Sequence, residues 1–364
     1  MRNEPIDIVE YFRLDPYSLN QSEKSNLLVA QIRRLFKYHM ENNSAYKNIL
    51  ESNNFSLDKS DSLEDFPFLP VRIFKEIDLI TNPQGLSMRS LNSSGTTGQT
   101  TSRIYIDTET SNLQTKALVK IITSYIGKKR IPLLIIDAPS TIKKRDAFSA
   151  RAAGILGFSK FATETTFALN DDMTVNWEGI REFARVNAHN PVLLFGFTSL
   201  IWIHLIKEME LEGISLDFSN ATLFHGGGWK KISLEDQVSK SYFKEVINSR
   251  LGISKVHDYY GMAEQVGSIL VECESGYLHS SIFSEIIIRD ENTHQISGLN
   301  KLGLVETLSI LPKSYPGHVL LTEDLGRQIG VDDCKCGRLG SYIVIEGRIN
   351  RAELRGCSDT YQAD

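Results

Sequence analysis

The protein has 364 residues, 41% of them hydrophobic and 23% charged, with a net charge of −5. That is the composition of an ordinary globular chain, large enough for one extended α/β unit or for two domains. The acidic balance argues against a dedicated nucleic-acid binder, and no long apolar run marks an integral membrane segment. The N-terminus "MRNEPIDIVEYFRLDPYS" lacks the uninterrupted apolar core of a signal peptide. Four cysteines in this length make no disulfide framework, so a reducing, cytoplasmic setting is expected.

Residues 1–90 read as a mainly helical N-terminal region. In "SEKSNLLVAQIRRLFKYHMENNSAYKNIL", Leu27, Leu28, Ile32, Leu35 and Phe36 recur at helical spacing, with Ser22 as a candidate cap. "FPFLPVRIFKE" follows as a proline-interrupted connector. Residues 91–265 carry a different pattern. The short apolar runs "IPLLIIDAP", "PVLLFGF" and "ATLFHGGG" alternate with helix-like stretches such as "TSLIWIHLIKEMELEG" and lead to "KVHDYYGMAE". Such alternation predicts a parallel, doubly wound α/β sheet covered on both faces. From 266 to 356 long helices disappear. "GSILVEC", "SEIIIRD", "GLVETLSIL", "GHVLLTEDLG" and "GSYIVIEGRI" read as strands of a smaller β-rich subdomain. Residues 357–364 form a short polar tail.

Three stretches carry candidate chemistry. "NSSGTTGQTTS" places Ser93, Ser94, Gly95, Thr96, Thr97 and Gly98 in a polar, flexible segment. Glycines let backbone N–H groups approach phosphate oxygens and the hydroxyls add donors, so a phosphate cradle fits. No Gly-Lys-Ser/Thr follows, so this is not a Walker A loop, and a solvated linker fits the same composition. "HGGGWKK" and "YYGMAEQ" stand at predicted strand ends, where open α/β sheets bind ligands. Gly226, Gly227 and Gly228 offer bare backbone to a flat ring. Tyr260, beside Gly261, offers an aromatic face, and Glu264 a carboxylate for Mg²⁺. A core tyrosine and a carboxylate at a helix N-terminus are the alternatives for the last two. His225 and His257, each just before a strand-end motif, read as packed histidines, with a place facing an acyl pocket as the alternative.

The order "SSGTTGQTTS", "HGGGWKK", "YYGMAE", "TEDLGR", "EGRINRAELRG" resembles the core motifs of the adenylate-forming superfamily of acyl-CoA synthetases, luciferases and peptide-synthetase adenylation domains. The likeness is greatest to the LuxE-type acyl-protein synthetases, with phenylacetate–CoA ligases next, and covers nearly the whole chain. The resemblance implies ATP and Mg²⁺ as cofactors. It implies that residues 93–98 wrap the β- and γ-phosphates, that Gly226–Gly228 flank adenine and Tyr260 stacks on it, and that Glu264 holds Mg²⁺. Asp324 then grips the ribose hydroxyls, with Arg348 as the basic partner. Two positions depart from the pattern: Ala263 stands where a threonine or serine is usual, and Glu323 where a glycine is usual. The mobile C-terminal domain of the superfamily, with its catalytic lysine, is expected to be largely missing. Lys335 is the last lysine, so Lys230, Lys231, an arginine or a partner subunit is expected to substitute.

Cys357 stands in the polar tail near Arg351 and Arg355. A thiolate is a strong nucleophile and a good acyl carrier, although an incidental exposed cysteine fits the composition too. The resemblance favours the carrier, because acyl-protein synthetases bear their acylated cysteine near the C-terminus. The other cysteines make two half-sites, Cys273 with His279 and Cys334 with Cys336, which would complete a structural Zn²⁺ site if their strands meet. The expected function is ATP-dependent activation of a fatty or other carboxylic acid to acyl-AMP. Acyl transfer to Cys357 follows, and then transfer to a partner such as an acyl reductase. An acyl- or aryl-CoA ligase and a non-catalytic nucleotide-binding module are the rival readings.

Overall fold

A computed structural model describes residues 7–53, 55–81, 88–92, 101–143, 149–229 and 237–349. The chain divides into two compact units, Met1–Ile121 with Gly261–Asp364, and Ile122–Tyr260.

In the first unit a short helix, Ile8–Tyr11, precedes the predicted helix, which spans Gln21–Asn42. Its cap is Asn20 rather than Ser22. The Asn20 side chain accepts from the Glu23 N–H, and the Glu23 carboxylate accepts from the Asn20 N–H in return. A reciprocal cap satisfies two helix-end donors, which Ser22, already inside the first turn, cannot do. Leu28, Ile32, Leu35 and Phe36 form its buried stripe, whereas Leu27 is only half-buried. The helix Ser44–Ser52 follows. Strand β1, Leu69–Pro70, lies in "FPFLPVRIFKE". A hairpin of β2 (Arg89–Asn92) and β3 (Arg103–Ile106) then flanks the glycine-threonine loop. The long helix Thr108–Ile126 comes next.

The second unit holds the parallel sheet. Its strands are β4 (Ile131–Ile136), β5 (Ala162–Phe167), β6 (Val192–Phe197), β7 (Ala221–Gly226) and β8 (Lys255–Met262), and the division between units falls within β8. Their order is β8-β7-β6-β4-β5, every neighbour parallel. Strand side chains alternate between faces, so each apolar run serves two layers. Leu134, Leu194 and Leu223 pack with Phe183, Trp202 and Phe243, contributed by the helical segments Trp177–Val186, Ile201–Ile206 and Lys240–Leu251. On the opposite face Phe195 stacks on Phe158 of the helix Ala150–Phe158, with ring centroids 4.0 Å apart, and Tyr125 meets Phe224 edge-on. This is the expected doubly wound arrangement. Strand β5, "ATETTF", escaped the apolar-run reading. It pairs only with β4 at the sheet edge and stays partly exposed, so it has no need of a continuous apolar sequence.

The chain then returns to the first unit with antiparallel strands β9 (Gln265–Glu272), β10 (Leu278–His279), β11 (Ser284–Arg289), β12 (Gly303–Ser309), β13 (Val319–Val331) and β14 (Ser341–Arg348). Their order is β11-β12-β13-β14-β10-β9, and β1 pairs parallel to β13. Strands β9, β11 and β12 are buried along their whole length. No helix among the described residues is long and apolar enough to cross a membrane.

Helix Gln21–Asn42 is tied to this β-rich part by buried polar groups. Lys24 lies 3.0 Å from Glu285 and donates to the Ser280 hydroxyl at 2.7 Å. Glu285 also accepts from Gln21, Ser280, Ser341 and the Ile286 N–H. Two charges this deep are tolerated only because their remaining valences are filled. Further along, His39 Nε2 donates to the Pro312 carbonyl at 3.1 Å, which leaves Nδ1 to accept from the Thr81 hydroxyl at 2.8 Å. Its ring stacks on His318, centroids 4.9 Å apart.

Burial pushes the His39 imidazole down to about 3. A histidine held neutral in the fold stabilises it above the unfolded value near 6.5, and that contribution is lost as pH falls toward 3. Between pH 7 and pH 5, His39 alone should remove about 2 kcal/mol of stability. Urea unfolding of wild type and His39→Gln at both pH values reads this contribution together with the lowering that His39 imposes on the stacked His318. Parallel pH profiles would count against it.

Candidate functional site

The glycine triplet ends β7. Gly226 sits in register with Tyr259 of β8, and a Cβ there would lie 2.4 Å from the Tyr259 carbonyl oxygen. Gly227 and Gly228 have φ of 78° and 60°, a region costly for side-chain-bearing residues. The sheet's own geometry therefore demands glycine at these positions, and the backbone of Gly227 and Gly228 is left exposed at the carboxyl end of the strand. The Thr198 hydroxyl buttresses the turn, donating to the Gly226 carbonyl at 3.1 Å and lying 2.9 Å from His225 Nδ1. His225 is buried, 3.9 Å from Asp258. His257 is packed between Phe224 and Tyr125. Tyr260 is half-buried near the end of β8, next to the exposed Gly261.

In the other unit Glu264 occupies the two-residue turn Ala263–Glu264 between β8 and β9. Among the described residues its carboxylate makes no hydrogen bond or ion pair, which leaves its oxygens available to a hard cation. Asp324 and Arg348 meet directly across the β13–β14 pair, with Arg348 Nε donating to Asp324 Oδ1 at 3.1 Å. The guanidinium also lies 3.6 Å from Glu323, which is itself 3.5 Å from Arg72. Glu323, noted in the sequence only as a departure from a glycine, is thus part of a four-residue charged network. Neighbouring residues on a strand usually face opposite ways, so nothing in "TED" signalled that one arginine would serve both acids. The Asp324 N–H donates to the Thr322 hydroxyl, and the Ile349 N–H to the Glu323 carbonyl, which fixes this corner of the pair. The loop residues 93–98 lie outside the described residues, as do Lys230, Lys231, Arg351, Arg355 and Cys357.

The two cysteine half-sites do come together. The ligand atoms of Cys273, His279, Cys334 and Cys336 all lie within 4.8 Å of one another. Cys273 follows β9, His279 ends β10, and Cys334 and Cys336 lie in the β13–β14 turn. Strand β10 pairs with both β9 and β14, so strand pairing brings together residues about sixty positions apart. Gly276 and Gly337, with φ of 85° and 80°, close the two turns. The Arg338 N–H donates to Cys336 Sγ. Burial pushes the Cys273 thiol up to about 12. Burial also raises Cys336, but the N–H of Arg338 and the neighbouring thiols outweigh it and leave that thiol below its ordinary value. Burial, with Arg338 and Lys24 nearby, lowers His279 to about 4 and keeps the imidazole neutral.

Comparison with known proteins decides the family. The family model "Acyl-protein synthetase, LuxE" matches residues 4–363. The chain belongs to the LuxE acyl-protein synthetase family. The family expected from the order of the five motifs is therefore the one found. No curated protein sequence matches the chain. Among solved structures, this LuxE-family chain is similar to 2-hydroxyisobutyryl-CoA ligase. An open conformation of that enzyme in complex with 2-HIB-AMP and CoA has a TM-score of 0.71 at 18% identity, covering 92% of this chain and 77% of that one. Its postadenylation state in complex with 2-HIB-AMP also gives 0.71 at 18% identity, covering 91% and 69%. At this identity the shared feature is the fold, that of an adenylate-forming ligase.

The Arg348–Asp324 pair is partly exposed, and exposed pairs contribute little to stability. Arg348→Gln should therefore shift unfolding by less than about 1 kcal/mol in a denaturant titration. A loss of several kcal/mol would make this network a structural element of the β13–β14 pair.

Proposed function

We propose that the protein is an ATP-dependent acid–thiol ligase that makes acyl-AMP from a fatty acid, loads the acyl group onto its own Cys357 and delivers it to a partner protein such as an acyl reductase. The observation that carries this reading is the family match over residues 4–363, on a fold shared with a ligase that binds an acyl-adenylate.

The acid's carboxylate oxygen attacks the α-phosphorus of ATP, and pyrophosphate leaves with the electrons of the broken P–O bond. Asp324 is suited to accept both ribose hydroxyls, since a carboxylate offers two acceptor oxygens. Arg348, already paired with it, holds that carboxylate in place. Gly227 and Gly228 present unobstructed backbone to the adenine, with Tyr260 as the stacking face. The hydroxyls and N–H groups of residues 93–98 take the β- and γ-phosphates. Glu264, with uncommitted oxygens, would hold Mg²⁺, which supplies charge neutralisation on the phosphates when bound. In the second step the Cys357 thiolate attacks the acyl carbonyl, AMP departs and a thioester remains.

Acid-dependent ATP–pyrophosphate exchange tests the first step. Glu264→Gln and Asp324→Ala should each lower it at least about tenfold, roughly 1.4 kcal/mol of transition-state stabilisation. Wild-type exchange in both variants would remove these carboxylates from the mechanism.

Cys357→Ser separates the second step from the first. A serine hydroxyl is hardly ionised at neutral pH, so this variant should keep exchange and lose covalent labelling by radioactive fatty acid. Label on wild type should be released by neutral hydroxylamine. Full labelling of the variant, or acid-dependent thioester formation on added coenzyme A, would favour a CoA ligase.

A further inference from the structure

The structure assigns a second chemistry to this chain, independent of the ligase reading: we propose that Cys273, His279, Cys334 and Cys336 bind one structural Zn²⁺ ion that fastens the β9–β10 turn to the β13–β14 turn.

Two edges of the cluster have the lengths of a tetrahedral site, and all four ligand atoms lie within 4.8 Å of one another. With Zn–S near 2.3 Å and Zn–N near 2.0 Å, tetrahedral bonding places two sulfurs about 3.8 Å apart, and a sulfur and a nitrogen about 3.5 Å apart. Cys273 Sγ and Cys334 Sγ are 3.8 Å apart, and Cys336 Sγ lies 3.4 Å from His279 Nε2. These edges join residues in the turns beside β10 to one another and to His279 of β10, and the pairing of β10 with β9 and β14 is set by backbone hydrogen bonds and not by the sulfurs themselves.

The donor set selects the ion. Three thiolates and one imidazole are soft to borderline ligands that suit zinc and disfavour calcium or magnesium. Four protein ligands leave no open coordination position, which makes the site structural. Cys273, His279 and Cys334 are buried, so a substrate has no approach from their side.

The surroundings suit a metal–thiolate centre. Three thiolates around Zn²⁺ carry one net negative charge, and the cations Arg338 and Lys24 bear electrostatically on His279. The Arg338 N–H donating to Cys336 Sγ stabilises a thiolate, and the left-handed Gly337 makes that turn possible. The His279 ring is stacked on Tyr342, centroids 5.3 Å apart, and meets Tyr17 edge-on. Binding releases the thiol protons to solvent, and no electron transfer is involved.

The ion would do what packing alone does poorly here. Among the described residues the cysteines pack with Tyr277, Ile329 and Tyr342, a small group for anchoring two turns. A metal bonded to both turns holds β10 between β9 and β14.

Metal analysis of the full chain, purified without chelator, should find about one zinc per chain. A mercurial that blocks thiols should release it. Cobalt substitution should produce the intense visible bands of tetrahedral thiolate coordination. Cys334→Ser should lose most of the zinc, and chelator treatment of wild type should lower its unfolding temperature. The proposal is overturned by well-folded wild type that contains no zinc and is indifferent to chelator. Iron in place of zinc, or a Cys273–Cys334 disulfide found by thiol counting under denaturing conditions, would overturn it equally.

Discussion

The pairing of β13 with β14 is the constraint on which the chemistry of the first unit depends. The ladder running from Val331 opposite Ser341 to Asp324 opposite Arg348 sets both ends of this pair. At the closed end the turn offers Cys334 and Cys336 to His279 and Cys273. At the open end the same ladder brings an aspartate and an arginine, 24 positions apart, to 3.1 Å. The ladder contains two irregularities, between Leu325 and Gly326 and between Gln328 and Gly330. Such bulges increase local twist and re-aim side chains. A slip of one residue would turn every side chain of a strand to the wrong face and dissolve both constellations together.

Buried polar groups secure the N-terminal helix to these strands. A charge such as Lys24, removed from water, is costly unless every donor finds an acceptor. Glu285, Ser280 and the nearby Ser341 supply a closed network around it. The stacked pair His39 and His318 works differently, since both rings are held neutral by burial. Networks of this kind specify one arrangement more sharply than apolar contacts, because a misplaced polar atom pays its full desolvation cost. Pro16 and Tyr17 extend the attachment through backbone bonds to Ile282 and Leu339.

In the second unit the demands of the sheet coincide with those of the proposed adenine site at the same glycines. Gly226 is required by the approach of β8, and Gly227 and Gly228 by their left-handed backbone. The exposed peptide groups that result are what a flat ring needs. The sequence motif therefore has a purely structural cause as well as a functional reading, and the two are separable only by ligand binding.

Much of this was legible in the residues themselves. The apolar runs around Leu134, Leu194 and Leu223 announce strands buried on both faces, because such strands cannot alternate with polar residues. The helical spacing of Leu28, Ile32, Leu35 and Phe36 is dictated by one buried stripe. The order of the five motifs sufficed for the family. Other features were decided only by tertiary structure. Strand β5 is polar because an edge strand has a solvent side. The partners of Lys24, the sharing of Arg348 by Asp324 and Glu323, and the meeting of Cys273 with Cys334 all join residues far apart in the chain. Local sequence encodes the propensity of each strand, but which strands become neighbours is settled by the packing of the whole sheet, and only that packing brings these side chains within bonding distance.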